Sequence, residues 1–168
     1  MIINIVNYFM SFISLAFLSF NINQKSINDV KNSIKTYEAY LNIPKINLSQ
    51  PIYAKGSEES DIDKNIIFIG DSDTPVTKNG NVIIAGHSGA STVSFFKNLY
   101  KLKNGDTIYL EYKNIIYEYI ITKKYTVKKT GKIEIIRDYN SKTLTLITCH
   151  GDDLQLVIIS NLKGQTKK

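Results

Sequence analysis

The feature that most constrains this sequence is a succession of short segments rich in Ile, Val, Tyr and Thr between Tyr40 and Leu162, separated by turn residues. They run Tyr40 to Ile43, Ile46 to Tyr53, Asn81 to His87, Thr107 to Tyr112, Ile115 to Val127, Lys132 to Ile136, Thr143 to Cys149 and Leu154 to Leu162. Asn79-Gly80, Asn104-Gly105 and Gly151-Asp152 punctuate them. β-Branched and aromatic side chains suit a pleated, half-buried surface, and such dipeptides suit tight turns. The expectation is an all-β sandwich or barrel. Only two stretches, Glu58 to Lys64 and Ser94 to Leu99, read as short helices. No internal repeat of solenoid length appears.

At 168 residues the chain has room for one compact domain. Its apolar share of 43% and charged share of 21% are those of a folded protein rather than a disordered one. The net charge is +6, but the lysines are scattered along the chain, which reads as solvated surface and not as a nucleic-acid patch. Residues Met1 to Phe20 carry no charged side chain. About 20 apolar residues span a bilayer as a helix, and no small-x-small cleavage site follows at Leu18-Ser19-Phe20-Asn21. The expected organisation is a transmembrane signal anchor over 1–22, a polar linker over 23–36, a β-domain over 37–163 and a basic tail over 164–168.

Cys149 is the single cysteine, so no disulfide can form within the chain. In Thr143-Leu144-Thr145-Leu146-Ile147-Thr148-Cys149, alternation puts Thr143, Thr145, Ile147 and Cys149 on one face and ends a strand at the thiol. A thiol needs a base, a cation or a dipole beside it to become a useful nucleophile. The candidates are His87, His150 and Arg137. His87 closes a strand of its own, whereas His150 adjoins Cys149 and points to the opposite face. Taken singly, a cysteine and a histidine at strand ends are ordinary structural residues. A metal site built from Cys149, His150, Asp152 and His87 is disfavoured, because no paired ligand spacing occurs. Asp61, Asp63, Asp71 and Asp73 lack the spacing of a calcium loop and read as turn and cap residues.

The segment from Thr143 to Cys149 resembles the sortase signature T-L-x-T-C, and Gly80-Asn81-Val82-Ile83-Ile84-Ala85-Gly86-His87-Ser88 resembles that family's N-x-x-I-A-G-H stretch. Phe95-Phe96-Lys97-Asn98-Leu99, Leu102-Lys103-Asn104-Gly105-Asp106 and Leu41-Asn42-Ile43-Pro44-Lys45-Ile46 match further family segments in the same order. The resemblance implies a closed β-barrel of about eight strands with one or two short helices, preceded by the N-terminal transmembrane helix. It implies a cysteine transpeptidase that cleaves an L-P-x-T-G-like sorting signal of surface proteins and passes the acyl group to an amine of a peptidoglycan precursor or a pilin. Cys149 is then the nucleophile and His87 the acid/base group, with Ser88, Thr148 and His150 lining the substrate groove. The family places an arginine on the next strand; here Gln155 stands in that position, keeping amide donors without the charge. No cofactor or metal is implied, calcium is left open, and nucleic acid is not an expected partner. The expected location is the outer face of a Gram-positive-type cell membrane. The sortase class stays open, although an N-terminal anchor without a second hydrophobic tail argues against pilus-type enzymes having C-terminal anchors. The competing readings are a catalytically weak or inactive peptide-binding scaffold, motivated by Gln155, and a cysteine peptidase that only hydrolyses.

Overall fold

The structure, a computed structural model, describes residues 37–168. Its eight strands are β1 (Ala39–Ile43), β2 (Leu48–Ile52), β3 (Ile67–Phe68), β4 (Asn81–Ala85), β5 (Thr107–Tyr112), β6 (Ile115–Lys128), β7 (Thr143–His150) and β8 (Leu154–Lys167). They form one sheet in the order β2-β1-β5-β6-β8-β7-β4-β3. Every pairing is antiparallel except β4 with β7, which is parallel.

The sheet curls because its apolar residues meet in a single core. Leu48 and Ile52 of β2 belong to the same buried cluster as Val82 and Ile84 of β4, from opposite ends of the strand order. Along β5, Ile108, Leu110 and Tyr112 turn inward while the intervening residues stay half-exposed, the period of a strand with one wet face. On β7 both faces are covered from Thr143 to Thr148. The barrel is nearly closed rather than closed: among the described residues β2 and β3 form no ladder with each other. Lys55 crosses this seam, its Nζ donating to the Gly70 carbonyl at 2.5 Å.

Several local expectations change. The stretch from Ile46 to Tyr53 is not one strand. Pro44–Ile46 forms a 3-10 turn closed by Asn47 at φ 51, and β2 starts after it. Neither expected helix forms at its predicted place. Residues 57–64 make successive three-residue turns, and in the second stretch the Phe96 N–H is drawn off to the His87 carbonyl at 2.9 Å. The single helical turn there is a 3-10 segment at Leu99–Lys101. Lys132 to Ile136 joins no ladder, although Lys123–Lys128 of β6 pairs on one side only, with β8. The Tyr125 hydroxyl holds it instead, donating to Glu134 O at 2.9 Å and accepting from Ile136 N at 3.0 Å. Residues 164–167, expected as a tail, prolong β8, since the start of β6 at Ile115 to Glu118 lies directly across. Lys163 reinforces this pairing from β8 to Glu118 at 2.9 Å.

The expected anchor over 1–22 and linker over 23–36 lie outside the described residues. Among those described, no helix is long and apolar enough to cross a membrane.

Candidate active site

The site follows from strand register. In the parallel pair, Asn81 of β4 lies opposite Thr143 of β7 and Ala85 opposite Ile147, and the Gly86 N–H continues the pattern to Ile147 O at 3.3 Å. Two residues beyond Ala85 and Ile147 are His87 and Cys149. In the antiparallel pair on the other side of β7, Cys149 lies opposite Gln155 of β8. His87, Cys149 and Gln155 therefore stand abreast across three neighbouring strands. The two-residue period puts Cys149 and Gln155 on the face of Asn81, Ala85 and Ile147, opposite the face that carries Leu144 and Leu146 into the core, while His87 lies two residues past the end of β4.

A buried polar lock fixes that register. Asn81 Oδ1 accepts from Thr143 Oγ1 at 2.9 Å and from Thr145 Oγ1 at 2.8 Å, using both lone pairs of one carbonyl oxygen. A slip of one residue would throw every side chain to the other face, so these bonds hold the imidazole level with the thiol. Above the lock, Thr148 Oγ1 donates to Gly86 O at 2.7 Å and Ser88 Oγ to Cys149 O at 2.5 Å. Gly86 is required: a Cβ there would come within 2.8 Å of Ile66 Cγ2 and 3.1 Å of the Phe96 ring. The turn from β7 to β8 is short, with Gly151 at φ 68, which keeps Gln155 across from the thiol.

Cys149 is a half-buried free thiol. The His87 side chain is 39% exposed, and its Nε2 lies 3.0 Å from Oδ1 of Asp63 in the β2–β3 loop. The Gln155 carboxamide has its Oε1 buried without a hydrogen-bond partner. A groove of about 220 Å³ opens beside the thiol, and Ser88, Thr148 and His150 line it with Phe96, Leu156 and Lys97. The three groove residues expected from sequence are thus together. The hydroxyls of Ser88 and Thr148 are committed as donors to backbone carbonyls, which leaves His150, Lys97 and Tyr100 as the exposed polar side chains there.

Arg137 is elsewhere. Its guanidinium donates to Asn79 O at 2.9 Å and stacks on Tyr139 at 4.4 Å. Asn79 precedes the start of β4, six residues from the level of Asn81 to that of His87, or roughly 20 Å along a strand. Of the acidic run, Asp61 accepts from Asp63 N and Asp73 from Asn81 N, as turn and cap residues do. Asp63 is different: read from the sequence as a turn or cap residue, it meets a histidine 24 residues away. Among the described residues, no three His, Cys, Asp or Glu side chains converge as metal ligands would.

The structure is thus a nearly closed barrel with its single cysteine near the end of β7 and His87 just past the end of the neighbouring β4. The family model for the sortase domain matches residues 41–162. The sortase A of Bacillus anthracis is 30% identical over 153 residues, 88% of this chain and 71% of that protein. Among solved structures, sortase A of Listeria monocytogenes superposes with a TM-score of 0.65 at 22% identity, covering 79% of this chain and 90% of its own, a likeness of fold. Sortase C of Streptococcus pneumoniae, solved for insight into catalysis and pilin substrate specificity, gives 0.67 at 25% identity, covering 79% and 72%. The chain belongs to the sortase family, whose members are cysteine transpeptidases of the cell envelope.

Proposed function

We propose that the protein cleaves a sorting signal of L-P-x-T-G type in surface proteins and transfers the acyl group to an amine of a peptidoglycan precursor or a pilin. The observation that carries this reading is the row of His87, Cys149 and Gln155 across β4, β7 and β8. The Cys149 thiolate, its proton held on the His87 imidazolium, attacks the scissile carbonyl, and the C–N bond breaks as that imidazolium protonates the departing amine. The thioacyl enzyme is then opened by the acceptor amine, which gives up its proton to neutral His87 as the new amide forms and the C–S bond breaks, regenerating the thiolate and the imidazolium. Gln155 Nε2 serves the oxyanion as a neutral donor in place of the family's arginine. Removing such a donor costs roughly 10²–10³ in rate where it has been measured. No cofactor takes part. The catalytic domain works on the outer face of the membrane, tethered through residues 1–22.

The test is mass spectrometry of the protein incubated with a panel of sorting peptides. A thioacyl adduct on Cys149, lost in Cys149→Ala and discharged by added amine, is the expected result. Normal turnover by Cys149→Ala would sink the mechanism. A second reading, a weak or inactive peptide-binding barrel, draws on the absence of a permanent charge at position 155 and is favoured if peptides bind without forming an adduct. Hydrolysis that added amine does not divert would instead mark a peptidase.

A further inference from the structure

His87 is held from two sides, and Asp63 supplies one of them. The Phe96 N–H donates to the His87 carbonyl at 2.9 Å and fixes its backbone. The imidazole Nε2 lies 3.0 Å from Asp63 Oδ1. The loop that presents Asp63 is tied to itself. Asp61 accepts the backbone N–H groups of Lys64 and Asn65 on its carbonyl at 3.0 and 2.9 Å, and that of Asp63 on its side chain at 2.9 Å. Asn65 Nδ2 donates to Glu59 O at 3.0 Å. The loop ends at Ile66, fully buried against Gly86, the residue immediately before His87. Carboxylate and imidazole are thus delivered by two backbones clamped together within a few residues of their contact.

The chemistry of that contact selects a ring nitrogen. A carboxylate only accepts hydrogen bonds, so the imidazole nitrogen facing it carries the proton. With Nε2–H committed to Asp63, Nδ1 is the acceptor in the neutral ring and the free donor in the charged one. On the transpeptidase reading above, we propose that Asp63 is a positioning residue: it orients His87 and fixes the tautomer in which Nδ1 exchanges the proton with the leaving and incoming amines. In the serine-protease triad a buried aspartate fixes its histidine in the same general way, with a large effect. Here the Asp63 side chain is 82% exposed, so water competes and the effect is smaller.

Two measurements on the intact chain and its Asp63→Ala, Asp63→Asn and Asp63→Glu variants test this. In ¹⁵N spectra of the histidine side chains, the neutral His87 ring of the wild type is expected as the Nε2–H tautomer, and Asp63→Ala is expected to shift it toward a mixture of both. In the acylation assay, kcat should fall about fivefold in Asp63→Ala, the scale of an exposed charged contact, with KM unchanged. Asp63→Asn, which keeps an acceptor, and Asp63→Glu should each recover part of the tautomer bias and of kcat. An unchanged tautomer in Asp63→Ala, or an unchanged kcat in an enzyme that forms the thioacyl adduct, would overturn the proposal. If no peptide acylates the wild type while the tautomer still depends on Asp63, the transpeptidase reading fails and the Asp63–His87 coupling stands.

Discussion

Cys149 and Gln155 face each other across the β7–β8 ladder, and the oxygen of that glutamine is a buried acceptor with no partner. Buried polar groups are almost always satisfied, so this orphan singles out Gln155 for substitution.

The first consequence concerns Gln155 itself. Gln155→Ala should lower the acylation rate by roughly 10²-fold while leaving the melting temperature near that of the wild type or raising it. Gln155→Arg, which brings charge to the same place, should match or exceed the wild-type rate. Stopped acylation assays with one peptide decide it. Indifference to both changes would assign oxyanion binding to backbone N–H groups instead.

The Asn81 lock leads to a second prediction. Asn81→Ala leaves the hydroxyls of Thr143 and Thr145 buried without their shared acceptor, a loss of about 2–4 kcal/mol by the cost of unmade hydrogen bonds. Chemical denaturation should show that drop. Acylation should fall further than the folded fraction alone explains, since the register that levels His87 with Cys149 is loosened.

Gly86 gives a third. A methyl group there must displace Ile66 or Phe96, both fully buried, and the displacement falls on the residue before His87. Gly86→Ala should keep the barrel folded by circular dichroism yet reduce turnover by more than tenfold, the effect of shifting a positioned group by an ångström. Turnover within twofold of wild type would mean that the neighbours give way freely.

Tyr119 offers a fourth, far from the site. Its hydroxyl is a second buried group without a partner, and burial raises its pKa well above the ordinary value of 10.0. A pKa raised in the folded state means stability that is full below pH 10 and is lost as pH rises from there toward the folded value. Tyr119→Phe removes both the unpaired hydroxyl and this loss. The melting temperature at neutral pH should hold or rise by a few degrees, and the decline above pH 10 should be shallower. An equally steep alkaline decline in the variant would place its cause elsewhere.

The amount of this that was legible in the sequence depended on the range over which each residue is determined. Thr107–Tyr112 was legible to the residue, because alternation is a local property and its neighbours on both sides are strands. The site pair was legible because two motifs end in His87 and Cys149, each at a strand terminus. The two-residue β3 was not, being too short to show a period. Lys132 to Ile136 misled for the opposite reason. Its composition is that of a strand, but it meets the half-free end of β6 through the Tyr125 hydroxyl rather than through a backbone ladder, a choice that composition does not carry. Asp63 was invisible on the same ground: a carboxylate in a polar loop has no local sign of the imidazole it meets in space.

The parallel ladder between β4 and β7 joins residues such as Asn81 and Thr143, 62 positions apart. Apart from β7, β4 has only the two-residue β3 as a neighbour, so Phe96 and Asp63 can hold His87 early, but only the chain past Thr143 brings β4 to the strand of Cys149. Such non-local pairing is slow and comes at a late stage of assembly. A nascent or partly unfolded chain therefore presents Cys149 on a strand to which β4 has not yet delivered His87. Chemical competence is in this way tied to completion of the fold, and an unfinished molecule has little means of acylating the wrong peptide.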